Sequence, residues 1–357
     1  QQRYEELTKN PLWQKVPAVQ NGKVFIVPSG LYYRGDDGPL GSVKVIDDIM
    51  LKLTGAPLAS APPARSATRS FTDAAGRSME IPTNPQRIVV LNDSNGGAQI
   101  LALGGNLAGM TTRNGTLELA DRYNLSGVAE VGDYNAPNLE QIAALNPDLI
   151  VNYTYQGEIY DEPDFTAKLE AIAPVVYMET GASVAEVMAG FADLLGAGTE
   201  LDAMRSAYEA RLAEVRTLLP ENLDDVTISV IQMQDNNQIN TFGRGWFSFG
   251  EVFEDLSFTS YPANQASGPA VETCCLDSQS LETLPEFDGD VIFYYVAGPN
   301  NDYSGNPLFQ NLNAVKADQA FEWNDDWWGN SYDTLGEILT DLEQWFSTTE
   351  IDPAVYP

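Results

Sequence analysis

The stretch NLEQIAALNPDLIV (138–151) returns as SLETLPEFDGDVIF (280–293). Each copy carries Leu-Glu at its start and apolar residues at Ile142 and Leu145, or at Leu284 and Phe287. Each then places an aspartate, Asp148 or Asp290, shortly before a hydrophobic run, with Glu140 and Glu282 eight residues ahead of it. That spacing predicts a short helix delivering the chain into a buried parallel strand. One such unit is ordinary, but two far apart predict two lobes built on one plan.

A chain of 357 residues can bury a large core and is long enough for two or more domains. No apolar run approaches the roughly 18 residues of a membrane span. The net charge is −32, from 51 acidic against 19 basic residues. Such a chain is repelled by nucleic acid and by anionic membranes, so neither is an expected partner. The same excess equally fits a solvated acidic surface that favours solubility. There is no histidine, which removes Ser-His-Asp and Cys-His catalysis together with the commonest zinc and copper ligand. The two cysteines, Cys274 and Cys275, are adjacent. They cannot build a structural zinc site or hold an iron–sulfur cluster, and read either as a vicinal disulfide or as two thiols. The opening QQRYEELTKN has neither a charged nor an apolar leader region, so any export signal belongs outside this sequence.

Residues 56–70, rich in Ala, Pro and Ser, read as a linker. Beyond it FTDAAGRSMEIP alternates like a hairpin, RIVVLN and LAGMTT read as buried strands, and NGGAQILALGG as the helix between them. With the first repeat and FTAKLEAIAPVVYME these predict a doubly wound α/β lobe over 71–182. Residues 183–219 are a long helical pattern, broken only near GAGTE. A second α/β lobe, 220–357, begins with VTISVIQM and ends with the helix YDTLGEILTDLEQWF. A separate repeat pairs NPLWQKVPAV (10–19) with NPLFQNLNAV (306–315). Residues 1–55 therefore read as the duplicated tail of a preceding copy, which must dock on this chain or a neighbour to cover its apolar face.

The ordered set GRSMEIPTNPQRIVVLN, ILALGGNLAGMTT, VGDYNAPNLEQIAALNPDLIVNY, LEAIAPVVYM, SLETLPEFDGDVIFYYV and NPLFQNLNAV resembles the substrate-binding proteins of ABC importers that carry ferric siderophores and vitamin B12. The resemblance covers nearly the whole chain beyond the linker. It implies an α/β fold of two doubly wound lobes joined by a single long helix. It also implies an extracytoplasmic protein, periplasmic or a lipoprotein held at the outer face of a membrane, that reaches the membrane only through an anchor or an ABC importer permease. In that family a glutamate on each lobe docks on permease arginines, and by position these are Glu140 and Glu282. The alternative is that each merely supports the first turn of its helix through the dipole, an effect of about 0.3–1 kcal/mol.

Ligands of doubly wound sheets sit beyond the carboxyl ends of the strands. Those ends carry Asn92, Asp93 and Ser94, then Thr112 and Arg113, then Tyr153 and Tyr155 in the first lobe. The second lobe offers Gln234, Asp235, Arg244, Trp246, Tyr294 and Tyr295, and the loop WNDDWWGN adds Trp323, Trp327 and Trp328. Aromatic faces cover flat or greasy chelates, and arginines pair with their anionic oxygens. Each ring has the alternative of being core, and Arg113 and Arg244 that of pairing with the surplus carboxylates. Iron held by a siderophore is already saturated by the chelator's oxygens, so the protein needs no metal ligand and no cofactor of its own. Cobalamin or haem is the alternative cargo, and a scaffold with a vestigial cleft the alternative role. Asp325 and Asp326 are adjacent and have no partnered nucleophile, so the chain is not expected to be an enzyme. A stiff connector predicts small lobe motions on binding.

Overall fold

A hairpin leads into the first sheet: β1 (Thr68–Thr72) pairs antiparallel with β2 (Ser78–Pro82) across a turn closed by Gly76 at φ 73°. It starts inside the stretch read as linker. The computed structural model describes residues 13–16, 19 and 67–355, apart from 92–95, 114, 118, 121, 155–162, 180–182, 222, 235, 244–246, 268–274, 299–302 and 304. The chain divides into two compact units, Gln1–Arg65 and Ser66–Pro357, and both lobes belong to the second. The duplicated tail and Cys274 lie almost wholly outside the described residues.

The N-terminal lobe follows as β3 (Ile88–Val90), α1 (Gly96–Ala102), β4 (Leu107–Thr112), β5 (Ala129–Asp133), β6 (Ala136–Pro137), α2 (Leu139–Ala144), β7 (Leu149–Thr154), α3 (Pro163–Glu170) and β8 (Val175–Glu179). Its strand order is β6-β5-β4-β3-β7-β8, parallel except at the β6 edge. The connector is α4 (Val184–Leu195) and α5 (Gly198–Arg216). The C-terminal lobe contains β9 (Ile228–Met233), β10 (Gln238–Phe242), α6 (Phe247–Asp255), β11 (Cys275–Ser280), a 3₁₀ helix (Leu281–Phe287) and β12 (Val291–Val296). Then come α7 (Pro307–Gln310), α8 (Asn313–Lys316), β13 (Ala320–Glu322), a 3₁₀ turn (Asp325–Trp327) and α9 (Tyr332–Phe346). Here the order is β11-β10-β9-β12-β13, with β9, β12 and β13 parallel.

The opening repeat has a shared structural meaning. Asn138 Oδ1 caps α2 by accepting from Glu140 N and Gln141 N at 3.0 and 3.1 Å, and Ser280 Oγ accepts from Glu282 N at 3.3 Å. Ile142 and Leu284, at matching positions, are fully buried. Each aspartate then latches its strand to the parallel neighbour. Asp148 accepts from Gln86 N and Arg87 N, at 2.7 and 2.9 Å, just ahead of β3. Asp290 accepts from Thr227 N at 2.8 Å, just ahead of β9. The register agrees, with Leu149 opposite Ile88 and Val291 opposite Ile228. Pro285 lacks an N–H, which is consistent with the second copy tightening into a 3₁₀ helix.

The connector differs from the single long helix expected. Gly196, at φ 70°, ends α4, and Ala197 N donates back to Ala192 O at 2.8 Å. The second helix restarts two residues later, consistent with the break at GAGTE. One buried cluster runs from Ile88 and Val151 through Phe191, Leu201, Tyr208 and Val215 to Phe253, Phe293, Leu339 and Phe346. The lobes thus share one core through the connector.

Replacing the buried Asp290 by Ala leaves the half-buried Thr227 N–H without its acceptor and is expected to cost about 1–3 kcal/mol in chemical denaturation. Asp148→Ala, at a half-exposed site, is expected to cost less. Equal losses, or none, contradict the latch.

Candidate functional site

Among the expected site residues of the N-terminal lobe, Arg113 sits on a tight turn beyond β4. Arg113 N donates to Thr116 O and Thr116 N to Arg113 O, both at 3.0 Å, with Gly115 at φ 75° between them. Its half-buried guanidinium lies 4.8 Å over the ring of Tyr134, which follows β5. Tyr134 N in turn donates to Thr112 O at 2.8 Å, so both side chains are held at adjacent strand ends. Tyr134 was missed by the sequence reading. The strand-end rule would have found it had AEVGD been taken as a strand.

Tyr153 is a correction. It is 1% exposed, with its ring 5.6 Å from Phe191, and belongs to the core where β7 meets α4. Asn92, Asp93, Ser94, Tyr155, Asp235, Arg244 and Trp246 lie outside the described residues.

In the C-terminal lobe the aromatic residues separate by face. Tyr295 stacks on Trp323 at 4.7 Å and 29°, and its hydroxyl donates to Asp325 Oδ1 at 2.6 Å. Burial, and then that hydrogen bond, holds the phenol above its ordinary value. Trp328 stands edge-on to both rings, 5.9 Å from Tyr295 and 5.0 Å from Trp323. Tyr295 and Trp328 are half-buried and keep a face toward solvent. Trp323 and Trp327 do not. They are 2% and 0% exposed, stack on each other at 5.4 Å, and continue into Phe249, Phe253, Phe293 and Trp345. Both are therefore corrected from cleft to core. The 3₁₀ turn carries Trp327 inward, where its Nε1 donates to Asp341 at 2.8 Å. Tyr294 is corrected as well. Side chains alternate along β12, so it joins the opposite face beside Phe309 at 5.0 Å. Burial and the Glu322 charge push it up to about 12.

Direct bonds tie the lobes together around this region. Gln99 of α1, fully buried, donates to Asn330 O at 2.7 Å. Arg122 reaches Asp326 at 3.2 Å and Thr334 Oγ1 at 3.1 Å, and Tyr123 donates to Asp333. None of these was anticipated. Glu140 and Glu282 are exposed in the first turns of their helices, and neither carboxylate has a partner among the described residues. The capping bonds come from Asn138 and Ser280, which leaves both glutamates available to something outside the chain.

The connector's start is also held from the other lobe: Glu251 of α6 accepts from Val184 N at 2.7 Å. Burial pushes this carboxyl up, the Val184 bond opposes it, and Asp255 adds to the rise. A raised folded-state pKa means that the contribution to stability is fullest below the unfolded value and is lost as pH rises through the folded one. Glu251→Gln keeps an acceptor and removes the buried charge. Its unfolding midpoint is expected to exceed the parent's near pH 7 and converge with it below about pH 4. A constant difference across that range contradicts the assignment.

The family model described as periplasmic binding protein matches residues 88–327, across both lobes and the connector. The chain belongs to the periplasmic binding protein family. It is 28% identical over 302 residues to the probable siderophore-binding lipoprotein YfiY of Bacillus subtilis, covering 80% of this chain and 90% of that protein. It is also 28% identical over 253 residues to the iron(3+)-hydroxamate-binding protein FhuD of the same organism, covering 68% and 75%. Among solved structures, Staphylococcus aureus SirA complexed with staphyloferrin B shares the fold at a TM-score of 0.64 and 23% identity, over 78% of this chain and 99% of that one.

Proposed function

We propose that this protein captures a ferric siderophore between its two lobes, outside the cytoplasm, and delivers it to an ABC importer. The observation that carries this reading is the alignment to a probable siderophore-binding lipoprotein over 90% of that relative's length. Relatives named for iron(3+)-hydroxamate and Fe(3+)-citrate binding support the same cargo class. The role is binding rather than catalysis.

The chemistry of the cleft fits that cargo. A ferric chelate presents filled coordination, a partly apolar surface and anionic oxygens. It therefore requires stacking and counter-charge rather than metal ligands. Tyr295 and Trp328 offer the rings, and Arg113, braced on Tyr134, offers the charge. Tyr155, Arg244 and Trp246 complete the proposed contact set. In a chain of net charge −32, a local arginine matters more than usual, because the surrounding field repels an anionic chelate. Glu140 and Glu282 are proposed to meet basic sockets on the permease, one from each lobe, setting orientation and encounter rate.

Titration with ferric hydroxamates, ferric catecholates, haem and cobalamin, read by native mass spectrometry and tryptophan fluorescence, tests this. A ferric chelate is expected to bind one-to-one and quench the emission. Trp328→Phe is expected to remove much of that quenching. Arg113→Ala is expected to weaken an anionic chelate about tenfold, or roughly 1.4 kcal/mol. Glu140→Arg with Glu282→Arg is expected to lower cellular uptake while leaving chelate binding intact. Silence across the panel contradicts the function, and binding of haem or cobalamin alone contradicts the siderophore assignment.

A further inference from the structure

The segment NPLWQKVPAV recurs as NPLFQNLNAV at a fixed spacing of 296 residues, from Asn10 to Asn306. The two copies fold their shared turn alike: Val16 N donates to Trp13 O at 3.1 Å, and at the equivalent atoms Leu312 N donates to Phe309 O at 3.1 Å. In the C-terminal lobe Asn306 Oδ1 caps α7 by accepting from Leu308 N at 2.9 Å, with Pro307 in the first helical position. Asn10 and Pro11 repeat that start signal. Further on, Asp318 holds φ 57° in the turn into β13, and the repeat places Gly22 at that position, the residue that adopts positive φ most readily. Phe25 of KVFIVP matches Phe321 of β13.

The surroundings of the two turns differ. Phe309 and Leu312 are 5% and 1% exposed, packed with Leu284 and Tyr294. Val16, the counterpart of Leu312, is 39% exposed, and Trp13 is only half-buried. A turn that the lobe covers completely thus has uncovered apolar surface in its first copy. The C-terminal lobe already holds its own closing unit, with β13 paired beside β12.

We propose that residues 10–55 are the closing unit of the C-terminal lobe of a second binding-protein copy, which precedes this one in the same polypeptide. Trp13 and Val16 would cover that lobe's counterparts of Leu284 and Tyr294. Residues 56–67, rich in Pro and Ala and ending where β1 begins, then space two complete receptors, each with its own cleft. This inference is independent of which ligand either cleft takes.

The test is the protein isolated from its own cells with antiserum raised against this chain. Intact mass and peptide mapping are expected to give a polypeptide larger by about one receptor, whose added sequence repeats the Leu-Glu…Asp units of both lobes. A native chain of 39.0 kDa, or an upstream sequence without those units, overturns the proposal. Calorimetry of the native tandem reads the docking itself. Val16→Asp is expected to lower one of two unfolding transitions and leave the other in place, while Lys15→Glu on the exposed side moves neither. A shift of both transitions by Val16→Asp, or of neither, overturns the assigned seat.

Discussion

The architecture depends on apolar packing that does not stop at the lobe boundary. Val187 and Phe191 of α4 are buried in the same cluster as the first lobe's β-strands, and Leu201, Tyr208 and Val215 of α5 join the cluster that holds Leu335, Ile338, Leu339 and Phe346 of α9. Each such large side chain contributes about 1.5–3 kcal/mol when fully buried. The ion pairs along the same seam, such as Arg211 with Glu343, are partly exposed, and pairs of that kind contribute about 0–1 kcal/mol each. The brace is therefore chiefly hydrophobic. The polar links, Tyr208 to Asp255 at 2.7 Å and Glu251 to Val184, select the angle at which the packing closes.

This brace bears on how the protein can work. A receptor hinged on flexible strands reports its ligand by closing. One whose lobes share a core has little freedom to do so, and instead presents a fixed geometry. Glu140 and Glu282 occupy equivalent first turns on the two lobes, so their separation is set by the same packing. Under the proposed docking, the permease would read a spacing, and the ligand would meet surfaces already in place.

The legibility of these features in the sequence follows from the range of the forces involved. The repeat was readable because its cap and its buried apolar positions act within one helix–strand unit, so Asn138 and Ser280 announce the same geometry. The aspartate latches, which bond across 62 and 63 positions to the neighbouring strand, have no such local signature. The division of the aromatic residues was not readable. Tyr294 and Tyr295 differ by one position in β12 and face opposite sides of the sheet, and nothing local says which side is open. Trp327 and Trp328 are likewise neighbours, yet the 3₁₀ turn sends one into the core and leaves the other half-buried. The lobe-to-lobe bonds, Gln99 to Asn330 and Arg122 to Asp326, join residues 231 and 204 positions apart and have no local signature. Composition helped only by exclusion: given the family resemblance, which implied the cargo class, a chain without histidine fits poorly with the carriage of bare zinc or manganese.

The central claim is that a shared core holds the lobes at a nearly fixed separation whether or not the cleft is filled. Small-angle X-ray scattering of the purified protein, recorded with and without a saturating ferric chelate, measures this directly. The account predicts scattering curves that superimpose apart from the added mass of the ligand. A marked compaction on binding would mean that the lobes are hinged and that the brace does not control the molecule.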